Sequence, residues 1–327
     1  MHALKSHGRM VPIWAVLMAC LLGCAYADLS RDLDAVYRKN PFAFLSRDYF
    51  ARLSRDPCAV ASTDEITIGT DWSILVGADT DPLVGVMAGD LAAFLKQRMG
   101  VDVTVRKETD AEAARTHTIV LTDHGGGDPS TAGSYTIDVG RDAVAVRGQN
   151  AAGLRDGVVQ LVDRMGFRAA PILQIGEETL CPRLALRMGT IPRMGTYRDL
   201  VFLGYNGVII SPTDSASTTR LTSVSESRAI PELAQYCEPA LVQKLAEKAR
   251  GARRYGLKTF VSLSMWDFYP ANAPIFTEHP GLRGAEAFKH MDRPPAGHLL
   301  CTEDPLMRRY LAESIKGLFE SIPLMAC

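Results

Sequence analysis

Gly207-Val-Ile-Ile210 places three consecutive β-branched apolar residues between Asn206 and Ser211. Successive side chains of a strand point to opposite faces, so a strand apolar at adjacent positions needs both faces covered, as in a parallel sheet clothed by helices. The flanking chain supplies such helices. Tyr197 to Leu203 reads as a helix ended by Gly204, and Glu238 to Tyr255 is a long amphipathic helix ended by Gly256. Lys258-Thr-Phe-Val-Ser-Leu-Ser264 reads as the next strand, and Arg183-Leu-Ala-Leu-Arg187 as the preceding one. Asp304-Pro305 opens a last helix through Leu311, Ile315 and Leu318, with Pro in its first turn. Residues 213–230 form a Ser/Thr-rich loop, and Met265 to Thr302 a long loop rich in Trp, His and Pro. The order β-α-β-α-β-α predicts a right-handed parallel α/β arrangement.

A complete (β/α)8 barrel takes about 250 residues, roughly 31 per unit. About 145 residues run from Arg183 to Cys327, and three units use nearly all of them. Ile322-Pro-Leu-Met-Ala-Cys327 stands where a fourth strand would start. Residues 177–327 are therefore expected to be the first three β/α units of a truncated barrel.

Residues 63–176 predict a separate small α/β domain. Short strands are expected at Ile66-Thr-Ile68, Ser73-Ile-Leu-Val76, Val101-Asp-Val-Thr-Val105 and His117-Thr-Ile-Val-Leu121, with a helix from Leu83 to Met99 ended by Gly100. Ser134 to Val139 and Ala143 to Val146 flank Gly140-Arg-Asp142 as a hairpin, and Asn150 caps a helix running to Gly166. Gly125-Gly-Gly127 precedes a strand and lacks the Lys-Ser/Thr of a phosphate loop, so it reads as a plain connection.

The start of the chain is of another kind. His2, Lys5, His7 and Arg9 precede an apolar run from Val11 to Gly23, too short for a comfortable membrane span of about 20 residues and suited to a signal peptide over residues 1–23. Leu21-Leu22-Gly23-Cys24 resembles the bacterial lipobox, in which the cysteine is acylated, and Ala25-Tyr26-Ala27 offers an ordinary cleavage site instead. Either way the chain is expected to cross the inner membrane, and lipidation at Cys24 makes it a cell-envelope lipoprotein whose membrane partner is its own lipid. Residues 24–62 repeat Ser-Arg-Asp at 30, 46 and 54 and read as a tether.

With 36 Lys+Arg against 37 Asp+Glu, the charge gives no reason to expect a nucleic-acid partner. Seven cysteines are too few for a disulfide scaffold, and the pairing of Cys58, Cys181, Cys237 and Cys301 stays open. His279, His290, His298 and Cys301 are spaced by 11, 8 and 3, which fits no standard zinc pattern, so no metal or cofactor is expected. Chemistry is sought at the C-terminal ends of the strands, where barrel enzymes place it. Asp214 follows the second strand of this region, and Trp266 and Asp267 follow the third. An indole stacks on the apolar face of a sugar ring and carboxylates grip its hydroxyls, which suits a glycan partner. Packing by Trp266 and capping by Asp267 is the competing reading.

The domain order resembles the β-N-acetylhexosaminidase-like glycoside hydrolases of family 20. Ser134 to Leu161 looks like that family's tyrosine strand, second strand and Ala-Gly-Leu-containing helix. Pro182-Arg-Leu-Ala-Leu-Arg187 looks like its first barrel strand, whose second arginine binds sugar hydroxyls, with Met188 where the family has glycine. The resemblance thus implies sugar binding by Arg187. Gly204 to Ile210, Tyr255 to Ser264 and Glu303-Asp-Pro305 also resemble the first barrel units of the α-glucuronidases of family 67. The implied activity is hydrolysis of an amino-sugar or uronic-acid glycan. Family 20 carries its catalytic Asp-Glu pair at the end of the fourth strand, so no catalytic residue is assigned here and little or no turnover is expected. A non-catalytic surface glycan-binding lipoprotein is the rival.

Overall fold

The computed structural model describes residues 50, 53–107, 116–124, 133–190, 196–213, 219–265, 267–287 and 297–322. The expected signal segment, Cys24, most of the tether and Gly125 to Gly127 lie outside them. The fold is mixed α/β with several sheets, and every described residue falls in one unit, Asp48–Cys327.

In the first half, strands β1 (Glu65–Thr67), β2 (Ser73–Val76), β3 (Thr104–Lys107), β4 (Thr118–Asp123), β5 (Tyr135–Val139), β6 (Ala143–Gly148), β7 (Ile172–Gln174) and β8 (Gly176–Leu180) surround two helices. Six of the strands form one sheet in the order β3-β2-β4-β6-β5-β8. Its β3, β2, β4 and β6 run parallel, while β5 is antiparallel to both β6 and β8. Strands β5 and β6 alternate buried and half-buried residues, as a sheet covered on one face requires. Strands β1 and β7 pair separately, bringing Glu65 opposite Gln174.

Helix α1 (Pro82–Phe94) buries Leu83, Val84, Met87, Ala88, Leu91 and Phe94 on one stripe. Asp81 caps it by accepting from the Leu83 amide at 2.8 Å, and a π-turn over Leu95–Met99 carries it to Gly100, whose φ of 66° makes the left-handed stop. Helix α2 (Ala151–Arg168) starts at Asn150, whose side chain accepts from the Gly153 amide at 2.8 Å. Asn150→Ala is expected to cost about 1 kcal/mol, read as a lower urea midpoint at unchanged slope.

The second half holds β9 (Met188–Thr190), α3 (Tyr197–Phe202), β10 (Gly207–Ile210), β11 (Thr219–Arg220), α4 (Leu221–Val224), α5 (Pro239–Arg254), β12 (Lys258–Val261), β13 (Leu263–Ser264), α6 (Pro274–Glu278), β14 (Arg283–Glu286), β15 (His298–Leu300) and α7 (Pro305–Ser321). Strand β10 is flanked on both sides by parallel neighbours, β9 and β12. The all-apolar strand is thus the centre of a parallel sheet. One continuous core joins Leu154 and Val158 of α2 to Val208, Ile210 and Leu245.

Two expectations shift. The strand expected at Arg183–Arg187 forms later, at β9. Side chains take the main-chain groups a ladder would use: Asn206 binds the Arg187 amide at 2.7 Å and the Ala185 carbonyl at 2.9 Å, and Arg187 donates to the Leu184 carbonyl at 2.9 Å. The expected loop after Met265 holds α6 and the β14–β15 hairpin. Ile275, Phe276, Leu282 and Leu300 bury against Met307 and Tyr310 of α7 in a second core. Cys58, Cys181, Cys237 and Cys301 are free thiols. Among the described residues no helix is long and apolar enough to cross a membrane.

Arg155, only 1% exposed, ties the two halves together. It donates to the carbonyl of Gly256 at 2.8 Å and to Oδ1 of Asp156 at 2.8 and 3.0 Å. The other oxygen of Asp156 accepts from Arg187 at 2.6 Å. One carboxylate therefore bridges two guanidiniums where helix α2 meets the parallel sheet, and gives the buried Arg155 cation the hydrogen-bonded counter-charge it needs.

Candidate functional site

A cavity of about 570 Å³ opens beyond the C-terminal ends of β10 and β13. Ser211, Pro212 and Thr213 enter it directly from β10, and Asp267, Phe268 and Tyr269 from the chain that follows β13. Parallel pairing of β11 with β13, Thr219 opposite Leu263 and Arg220 opposite Ser264, carries Arg220 and Thr222 to the same place.

Asp267 is the chemical centre of this cavity. Its side chain is 13% exposed; Oδ2 accepts from the Thr222 hydroxyl at 2.5 Å, and Oδ1 stands 3.5 Å from Nε of Arg220. The threonine fixes the carboxylate, and the largely exposed arginine supplies charge without enclosing it. The carboxylate keeps lone-pair capacity for a ligand donor. Below it Tyr269 is buried, and burial first, then the Asp267 charge, push its phenol well above the usual range, so it stays protonated. Tyr236 stacks edge-on against Tyr269 at 6.0 Å and is 46% exposed, presenting an aromatic face at the cavity wall. Glu238 precedes helix α5 and makes no capping bond with its side chain, which leaves a second carboxylate on the lining.

The expected site residues fall in different places. Asp267 lines the cavity. Asp214 and Trp266 lie outside the described residues, although their neighbours Thr213 and Asp267 both line it. Arg187 does not join them: it precedes β9, at the other end of the parallel sheet, and three of its nitrogens donate to Asp156, to the Gly204 carbonyl at 2.6 Å and to the Leu184 carbonyl. Arg187 lines a separate cavity of about 500 Å³.

Arg220, Thr222 and Tyr236 carry no signal of a site in the sequence, where Glu238 only opens the long amphipathic helix. A Ser/Thr-rich segment without periodicity gives no sign that two of its residues pair with a strand some 45 positions on. A larger hollow of about 750 Å³ beside β7 and β8 is rimmed by the ion pairs Glu65–Arg168, at 2.9 Å, and Arg164–Glu178. These four charges pair with one another, and Glu177 adds a fifth to the lining.

No protein-family model matches the sequence, and no curated protein matches it. Solved structures do. A GH138 enzyme targeting pectin rhamnogalacturonan II is similar with a TM-score of 0.55 at 13% identity, over 78% of this chain and 30% of its own. The Flavobacterium johnsoniae chitobiase, a GH20 protein, gives 0.52 at 14% identity, over 81% and 42%. A Streptomyces plicatus β-hexosaminidase variant in complex with its product GlcNAc gives 0.50 at 17% identity, over 84% and 58%. The chain thus spans between about a third and three fifths of the length of these neighbours, and what it shares with them is the fold: this is a fold of glycoside hydrolases.

Proposed function

We propose that this chain is glycoside-hydrolase-like and holds an amino-sugar-containing glycan at the C-terminal ends of its parallel strands, without cleaving it. In this reading β9, β10 and β12 are the first three strands of a (β/α)8 barrel, and residues 63–176 are the small domain that precedes it. One observation carries the proposal: Asp267, held by Thr222 and faced by Arg220, sits in a 570 Å³ cavity beyond the strand ends. A fixed carboxylate accepts hydrogen bonds from sugar hydroxyls, and Tyr236 offers a ring for stacking. Asp214 and Trp266, next to lining residues, are proposed to join them.

Cleavage needs a general acid beside a second group that orients or attacks. The resemblance would put that pair at the end of a fourth parallel strand, which is not among the described residues. The proposal also places the protein in the cell envelope, anchored through lipid on Cys24, on the strength of the apolar run ending in Gly23.

The test is binding of the purified chain to immobilised amino-sugar glycans, with turnover of a chromogenic N-acetylglucosaminide measured in parallel. Saturable binding without turnover is expected. Asp267→Asn should weaken it about 10-fold or more, the worth of a hydrogen bond to a charged group. Binding unaffected by Asp267→Asn and by Trp266→Ala would remove the cavity from consideration, and clear turnover would restore the hydrolase.

A further inference from the structure

We propose that Glu232, Glu278 and His279 form a site for one divalent transition-metal cation, with Zn²⁺ as the best match, which clips the wall of the cavity in place. The three residues come from two separate segments. Glu232 lies in the 3₁₀ turn Pro231–Tyr236, Glu278 ends helix α6, and His279 follows it. One donor atom from each lies within 4.8 Å of the others. Donors about 2.1 Å from a tetrahedral ion stand about 3.4 Å apart. Nε2 of His279 is already 3.5 Å from Oε1 of Glu232, and the remaining donors, within 4.8 Å, close the set by a side-chain shift of up to about 1.4 Å.

A second observation distinguishes this cluster from an ordinary acidic surface. Nε2 of His279 and Oε2 of Glu232 are both buried, and neither has a hydrogen-bond partner among the described residues. Buried polar atoms are normally hydrogen-bonded, and an imidazole nitrogen whose contact with the Glu232 carboxylate is as long as 3.5 Å leaves room for a ligand that accepts lone pairs. Two carboxylates and one imidazole suit a borderline cation, whereas an all-oxygen set would suit calcium or magnesium.

The position gives the ion its role. The turn that holds Glu232 also carries Tyr236 into the cavity, and helix α6 carries Phe276, whose ring packs edge-on against Tyr269 at 6.2 Å. An ion bridging the two would hold both tyrosine rings in register. The sequence hides this set, because its single histidine works with one adjacent carboxylate and one 47 positions before it rather than with the other histidines or Cys301.

The site stands independently of the glycan reading and is tested by titrating Zn²⁺ into the chelator-treated chain by calorimetry, then Co²⁺ by absorption. One saturable equivalent is expected, with weak visible Co²⁺ bands and no thiolate charge-transfer band. His279→Gln and Glu278→Gln should each lower the affinity at least about 100-fold, while Glu247→Gln leaves it unchanged. Glu278 is exposed, so Glu278→Gln carries the test if His279→Gln does not fold. Absence of saturable binding, equal affinity in these variants, or a thiolate band from the free cysteines would each overturn the proposal.

Discussion

Arg155→Ala is expected to cost about 3 to 5 kcal/mol of unfolding free energy, as breaking one side of a buried ion pair generally does. The substitution removes the donor to Gly256, returns half of the Asp156 carboxylate to an unpaired state, and opens a hole under a residue that is 1% exposed. Arg155→Met separates the causes, because it keeps most of the volume and none of the hydrogen bonds. If both variants lose a similar amount in urea titrations, pairing dominates; if the methionine restores most of it, volume does. A loss below about 1 kcal/mol for the alanine variant would mean that the two halves do not depend on this contact.

Gly148→Ala should cost about 3 kcal/mol or more, while the same change at Gly85 should stabilise by about 0.5 to 1 kcal/mol. A Cβ on Gly148 would lie 2.2 Å from the Leu154 amide nitrogen and 2.5 Å from the Asn150 carbonyl oxygen, all of it main chain that cannot swing aside. The residue ends β6 where the chain passes straight into helix α2, so relief would mean moving the helix off the sheet. Gly85 lies on the exposed side of α1 with nothing within 4 Å of such a Cβ, and there only the backbone entropy of the unfolded chain changes. Thermal or urea unfolding of the two variants should show shifts of opposite sign.

The regular parts of this fold are legible in the residues, and the reasons are local. Asn150 and Asp304 cap the helices they precede, Gly100 and Gly256 take positive φ at helix ends, and the hairpin around Gly140 pairs as its alternation predicts. The all-apolar Gly207–Ile210 strand lies between parallel partners. Where expectation and structure part, a long-range side chain decides. Asn206 occupies the main chain before β9 and delays that strand, and no periodicity in residues 183–187 records it. The same holds for the candidate site. Asp267 is visible as a carboxylate after a strand, but its partner Thr222 belongs to a segment whose composition reads only as loop. Arg187 matches a pattern of the resemblance, while its pairing with Asp156 is visible only in the fold.

The pairing of β1 with β7 bears on how such a chain is assembled over evolutionary time. Because Glu65 lies opposite Gln174, the stretch from β1 to β7 begins and ends at one doorway, with β8 of its sheet following. A segment whose entry and exit share a doorway can be spliced into another host, exchanged for a relative, or re-cut to start elsewhere, without stretching the polypeptide on either side. The seam laid by Arg155 then becomes the variable part of any such transplant: the cassette fits wherever its new neighbour turns a free carbonyl toward helix α2.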